Sequence, residues 1–393
     1  MERNCLLRRK WLYTAVLVFI LITGLVALYA VARWGYLGKG RPGEGQPVTY
    51  DFIERDEFLL GTIVTQRIYT STDGEDARDG EKGSGQGRVN GSNANDVADK
   101  VFERIREIES KMSVNSNNSE ISILNQNAGK GAVNISRDTL CVLSKAKEYF
   151  QVSGGAFEPC IGPLTKAWGI YLVEGNPEIP GEDEIKDMLF LVNCDDLLID
   201  GKNSTAMLAK AGQAVDLGGI AKGYAGDEAV KIYRQYGVKS AYVNLGGNVV
   251  TLGAKPDGTP WRIGIQNPRG EAGKHIGVVE VVNKAVVTSG DYERYFIADG
   301  KRYHHILDPK TGYPADSGLI SVTIVTDLSI DGDALSTAVF VLGLEKGMEL
   351  VESLEGVEGV FITGDKRVYV SSGLEDNFIM NNESKEFKYG RKR

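Results

Sequence analysis

The chain has 393 residues, 42% hydrophobic and 25% charged, the mix of a globular protein with a sizeable core and not of a disordered or fibrous one. Its formal net charge of −8 repels nucleic acid, and no basic stripe interleaved with aromatics reverses this locally, so nucleic acid is excluded as a partner. Forty-eight glycines exceed ordinary usage and predict many tight turns or close approaches of backbone to a ligand.

Residues 1–10 carry Arg3, Arg8, Arg9 and Lys10, and residues 11–32 run without a charge. That run matches the ~20 residues that cross ~30 Å of hydrocarbon as a helix. The flanking cations predict a cytoplasmic N-terminus over 1–10, a single transmembrane anchor over 11–32, and an exported remainder at the cell membrane. Ala30-Val31-Ala32 also has the small-x-small form of a signal cleavage site, which leaves a signal segment as the alternative. Residues 33–49, rich in Gly, Pro and charge, read as a spacer. Of the four cysteines, Cys5 precedes the uncharged run, and Cys141, Cys160 and Cys194 in the expected exported part are odd in number and contain no CxxC pair; neither a disulfide framework nor a zinc site is indicated, and they read as small buried residues.

Folded sequence is expected over 50–378. Residues 58–69 are dense in β-branched and aromatic side chains and read as one strand. Residues 71–95 hold Val89 as their one large aliphatic, so they read as a mobile surface insertion. Val97, Val101, Ile105 and Ile108 recur at helical spacing. Further helices are expected over 139–151, 182–188, the later part of 216–236, 334–342 and 344–352. Short β-rich runs at 241–245, 261–266, 278–282, 285–288, 302–307, 320–325 and 359–363 alternate with turns, and residues 379–393 read as a polar tail. Strands joined by turns, with helices segregated from them, argue an α+β domain with a mixed or antiparallel sheet and flanking helices.

HExxH, GxSxG and P-loop motifs are missing, and three histidines exclude a histidine-rich metal site. Three stretches remain. Residues 213–227, QAVDLGGIAKGYAGD, place a glycine pair at a helix start, where unpaired N–H groups and partial positive charge suit a phosphate, with Lys222 in the first turn. The plainer alternative is that Asp216 caps the helix region. Residues 303–313, YHHILDPKTGY, bring imidazoles to a strand end, where alternation lets at most one of His304 and His305 face a site. Residues 327–337, DLSIDGDALST, set Asp333 and Thr337 four apart at a helix start, so a carboxylate and a hydroxyl can share one hard cation.

These stretches, together with Met112-Ser, Ser119-Glu-Ile-Ser, the run GAFEPCIGPL over 155–164, Trp168-Gly, VNLGGN over 243–248, WRIGI over 261–265 and TSGDY over 288–292, resemble the ApbE family of FAD:protein FMN transferases. The resemblance covers about residues 57–374. It implies FAD as substrate, a required Mg²⁺, and attachment of FMN to a Thr or Ser hydroxyl of an acceptor flavoprotein, with AMP released. It further implies a metal site of Asp333, Thr337 and the Gly219 carbonyl. FAD contacts are implied from Met112, the turn Ala156, Phe157 and Glu158, from Asp216 and Lys222, and from Thr288, Ser289 and Gly290. The family commonly has Asp where this chain has Glu158. For the base that activates the acceptor hydroxyl, Asp333 and His305 are both candidates. Hydrolysis of FAD to FMN and AMP, and FAD binding without turnover, stay open as alternatives.

Overall fold

The structure, a computed structural model, describes residues 50–70, 88–89, 92–170, 177–381 and 386–390. The expected segments 1–10, 11–32 and 33–49 and most of the insertion 71–95 lie outside the described residues. Among the described residues no helix is long and apolar enough to cross a membrane.

The segment expected as one strand over 58–69 folds back on itself. Leu60 and Gly61 both take positive φ, 53° and 69°, the geometry of a two-residue hairpin turn. They divide β1 (Phe52–Leu59) from β2 (Thr62–Tyr69). A leucine in the left-handed region carries no turn signal in sequence, so only the strand character was legible.

β1 and β2 open a nine-stranded sheet completed by β3 (Ala241–Leu245), β4 (Asn248–Leu252), β5 (Ala285–Gly290), β6 (Leu319–Thr326), β7 (Glu358–Thr363), β8 (Arg367–Val370) and β9 (Lys388–Tyr389). These nine neighbour one another in chain order, antiparallel except for the parallel pair β8 and β9. Every residue of β6 is buried, because both faces of the sheet are covered. Val322 and Ile324 join the main core, and Ile320 and Val325 join a second one with Trp261, Ile276 and Val279 of a small three-stranded sheet. The α+β expectation holds, with a mixed sheet.

The helices are α1 (Ala94–Met112), α2 (Glu120–Gln126), α3 (Arg137–Val152), α4 (Gly162–Trp168), α5 (Glu182–Leu189), α6 (Ala221–Gln235), α7 (Ser329–Leu342) and α8 (Leu344–Ser353). The end of the expected insertion belongs to the fold: Val89 is buried, Arg88–Val89 pairs with Ser92–Asn93, and the Asn93 side chain caps α1. The expected polar tail is folded too. Phe378–Met380 pairs with His275–Val281, β9 pairs with β8, and Phe387 is buried.

Two helices cross at the heart of the molecule. A Cβ built on Gly223 of α6 would run into the Ser329 carbonyl of α7 and lie 2.7 Å from the Ile330 Cα, and one on Gly226 would lie 2.6 Å from the Val250 Cγ2. Half of the glycines in QAVDLGGIAKGYAGD therefore serve helix packing and not a ligand. Asp227, 102 residues away in sequence, caps α7 by accepting from the Ser329 and Ile330 N–H groups at 2.7 and 2.9 Å. Gly223→Ala should gain about 1 kcal/mol of helix propensity and lose more to the clash with backbone, which cannot swing aside. A net loss of about 1–3 kcal/mol is expected, and thermal unfolding checks it: a variant as stable as the parent would mean that the crossing is looser than the structure shows.

Candidate functional site

A cavity of ≈ 760 Å³ opens where the β1–β2 turn, the β3–β4 turn, the ends of α1 and β5, the start of α6 and one face of α7 converge. Its lining includes Met112, Ala156, Phe157, Glu158, Asp216, Gly219, Lys222, Thr288, Ser289, His305, Asp333 and Thr337. Residues from six separated stretches of sequence thus share one space. Gly290 is not in the lining; it lies under the Tyr292 ring, which a Cβ there would strike.

Asp333 sits one turn inside α7 and not at its start, since Asp227 does the capping and α7 begins at Ser329. Its carboxylate is 4% exposed. One oxygen accepts from the Gly223 N–H at 2.8 Å and the other from the Asn248 side-chain amide at 2.9 Å. The Lys222 ammonium stands 3.7 Å from that second oxygen and donates to the Gly218 carbonyl at 3.3 Å. The close crossing at Gly223 is what brings this carboxylate against the first turn of α6.

One helical turn on, Thr337 faces Gly219, whose added Cβ would lie 3.2 Å from the Thr337 hydroxyl and 3.2 Å from the Phe157 ring. A single carboxylate, a hydroxyl with no hydrogen bond among the described residues and a glycine backbone at their side form a donor set that suits a hard cation with open positions. Asp216 caps no helix. It accepts from the Gly218 N–H at 2.8 Å and from the Thr165 hydroxyl at 2.9 Å, which ties the glycine loop to α4. The N-cap residue of α6, Ile220, supplies no side-chain cap; of the first-turn N–H groups, that of Gly223 goes to Asp333, and the positive end of the helix meets the cavity.

The opposite wall is set by hydrogen bonds inside the fold. The Phe157 N–H is held by the Ser153 hydroxyl at 2.9 Å, and Glu158 accepts the backbone N–H groups of Cys160 and Cys194 at 2.7 and 3.1 Å. Burial pushes the Glu158 carboxyl up to about 7 against the opposing pull of those N–H groups. Ser289 is paired with Ser336 and Thr288 with Thr323, each at 2.8 Å.

The two histidines part as alternation requires. His304 is buried, 3.2 Å from the Ala315 carbonyl and edge-on to Phe340. His305 lines the cavity with Nδ1 3.2 Å from the Arg294 carbonyl. His305 is half-buried by accessible surface; desolvation by the protein packed around it, and next the neighbouring His304, holds its conjugate acid down to about 3, so the ring is neutral. With Nδ1 against a carbonyl, Nδ1 carries the proton and Nε2 is the basic nitrogen.

Sequence reasoning missed Glu293 and Arg294, just beyond TSGDY, and Asn248 as the Asp333 partner. Glu293 is exposed to the cavity it lines and enclosed by the protein around it. That enclosure pushes its carboxyl up to about 7, opposed by Lys222 and Arg294 and reinforced by Asp333. Arg294 donates to the Gly61 carbonyl at 3.1 Å and links two loops at the cavity mouth. Their only sequence signal was position at the end of a strand. Glu109, Glu158, Asp216, Glu293 and Asp333 against Lys222 and Arg294 give the cavity an excess of carboxyl groups.

Residues 60–361 match the family model described as the ApbE family. A Treponema pallidum protein named FAD:protein FMN transferase is 36% identical over 337 residues, 82% of this chain and 87% of that one. A Klebsiella pneumoniae protein of the same name is 39% identical over 276 residues, 70% and 85% of the two chains. A crystal structure of an ApbE protein from Thermotoga maritima superposes with a TM-score of 0.73 at 33% identity, covering 83% of this chain and 99% of the other.

Proposed function

The chain belongs to the ApbE family and is an enzyme of the FAD:protein FMN transferase kind; on that premise we propose that it transfers FMN from FAD to a Thr or Ser hydroxyl of an acceptor flavoprotein, with Mg²⁺ required and AMP released. The observation that carries the reading is Asp333 set against the first turn of α6, with Thr337 and Gly219 beside it. A pyrophosphate brought to a cavity with an excess of carboxyl groups needs a counter-charge, and Asp333, Thr337 and the Gly219 carbonyl would hold the ion that supplies it. Mg²⁺, when bound, offsets charge on the pyrophosphate and on the leaving phosphate. Lys222 and the α6 N-terminus add fixed positive charge to the same group. The acceptor hydroxyl must lose a proton as it attacks phosphorus. Of the two candidate bases, Asp333 is assigned to the ion, and His305, which lines the same cavity with Nδ1 against the Arg294 carbonyl, is taken as the acceptor of that proton through Nε2. The uncharged run 11–32 supports a membrane anchor with the enzyme outside the cytoplasm.

The test is incubation of the full chain with FAD, Mg²⁺ and a flavin-acceptor domain bearing a Ser or Thr site. Flavin covalently bound to the acceptor, with one AMP per flavin, is the expected result. Free FMN would make the protein a hydrolase, and intact FAD a binder. FAD affinity should also depend on pH. The Glu293 carboxyl is raised to about 7, so below that pH it is neutral, and above it a negative charge faces an anionic ligand. Affinity should therefore weaken above pH ~7, by at most about tenfold per pH unit. Glu293→Gln should flatten the profile; a profile unchanged by that substitution would assign the titration elsewhere.

A further inference from the structure

From the cavity wall we infer that Cys160 and Cys194 form a disulfide that braces the turn bearing Phe157 and Glu158. Their spacing in sequence hides the pair, and the expectation of no disulfide framework rested on that spacing. In the fold both thiols are fully buried, and their sulfur atoms and the Glu158 carboxylate lie within 4.8 Å of one another. Cys141, by contrast, is exposed, against the expectation that all three are buried.

The geometry favours a bond between the sulfurs over a shared metal ion. Glu158 accepts the backbone N–H of Cys160 through one oxygen and that of Cys194 through the other. One carboxylate therefore holds both main chains close to one another, as a disulfide requires of its two attachment points. Among the described residues the cluster offers three donors, short of the four of a closed structural zinc site, and both Glu158 oxygens already accept backbone N–H groups. The Lys147 ammonium also occupies this corner, 2.6 Å from the Leu197 carbonyl and 3.5 Å from that of Cys194, which disfavours a second cation. The bond would close a loop of about 35 residues that includes α4 and α5. In its formation the two thiols lose two protons and two electrons to a disulfide oxidant, such as glutathione disulfide, which leaves as two thiols. Buried thiols meet that oxidant while the chain folds.

The experiment is thiol mapping, which is independent of whether flavin transfer is observed. The full chain is refolded in glutathione buffers of graded ratio, then acid-quenched, denatured, alkylated without reductant and digested. A linked peptide joining Cys160 to Cys194, with Cys141 alkylated throughout, is expected. Reduction should lower Tm by roughly 5 °C; Cys160→Ser and Cys194→Ser should lower it likewise, and Cys141→Ser should not. Alkylation of both Cys160 and Cys194 in the most oxidising buffer would overturn the inference. So would one zinc ion per chain by metal analysis, released by a chelator as those two thiols become reactive. A linked peptide with no gain in Tm would refute the bracing role.

Discussion

On the proposed metal site, Asp333→Ala should lower flavin transfer by roughly 10³-fold or more, because it removes the carboxylate assigned to the ion that would offset charge on the pyrophosphate. Partial rescue at high Mg²⁺ is expected if Asp333 acts only as a ligand. The burial of this residue adds a second effect that a helix-start position would not have. Without the carboxylate, the Gly223 N–H and the Asn248 amide lose their acceptor inside the protein, at about 1–3 kcal/mol for each unsatisfied group. Thermal unfolding without metal should show that loss. Asp333→Asn helps to separate the two effects: it keeps the size and one acceptor oxygen, so it should lose less stability than Asp333→Ala, with one donor left unsatisfied, while transfer still collapses. Normal transfer by a folded Asp333→Asn protein at ordinary Mg²⁺ would sink the metal assignment. Thr337→Ala should show the same defect in milder form, since a neutral hydroxyl contributes less to a hard ion than a carboxylate does.

The second large effect is expected at His305. If its Nε2 takes the proton of the acceptor hydroxyl, His305→Ala should slow transfer by about 10²–10⁴ and leave FAD affinity nearly unchanged. The pH profile makes the test specific. An imidazole whose conjugate acid is held down to about 3 does not titrate between pH 5 and 9. The parent should therefore show no inflection from His305 in that range, and the inflection near 7 assigned to Glu293 should persist in His305→Ala. Transfer within a few-fold of normal in His305→Ala would shift the base to another group, with Asp333 the next candidate.

What the sequence disclosed and what it hid divide along physical lines. That Asp333 and Thr337 face one space was legible because i, i+4 spacing is a property of one helix. His305 was legible because alternation along a strand allows one of two neighbours to face a site. Helix α3 was placed to within two residues at each end, since its apolar period is local. The Asp227 cap on α7 was not legible: it joins residues 102 positions apart, and no local pattern encodes that. For the same reason Asn248 went unnoticed as the partner of Asp333. The hairpin at Leu60 escaped because its turn uses a leucine where glycine or asparagine would have announced it. Glycines were the ambiguous case. Gly219 meets the cavity and Gly223 meets α7, yet four residues apart in one motif they look alike until the neighbours are known.

The order of the sheet has a consequence for how the molecule comes into being. Strands that adjoin in the sheet also follow one another along the chain, so β3 with β4 and β7 with β8 pair through short loops and can zip early. The pairing of β2 with β3 is different, because about 170 residues intervene, and closing a loop of that length costs more chain entropy than any hairpin does. That seam runs from Val64 opposite Leu245 to Ile68 opposite Ala241, and the turns at its end, Leu60 to Thr62 and Gly246 to Gly247, are cavity lining. The binding space therefore does not exist until the most distant partners in the sheet have met. A nascent chain cannot engage its ligand piecemeal, and flavin can report on this protein only after folding is complete.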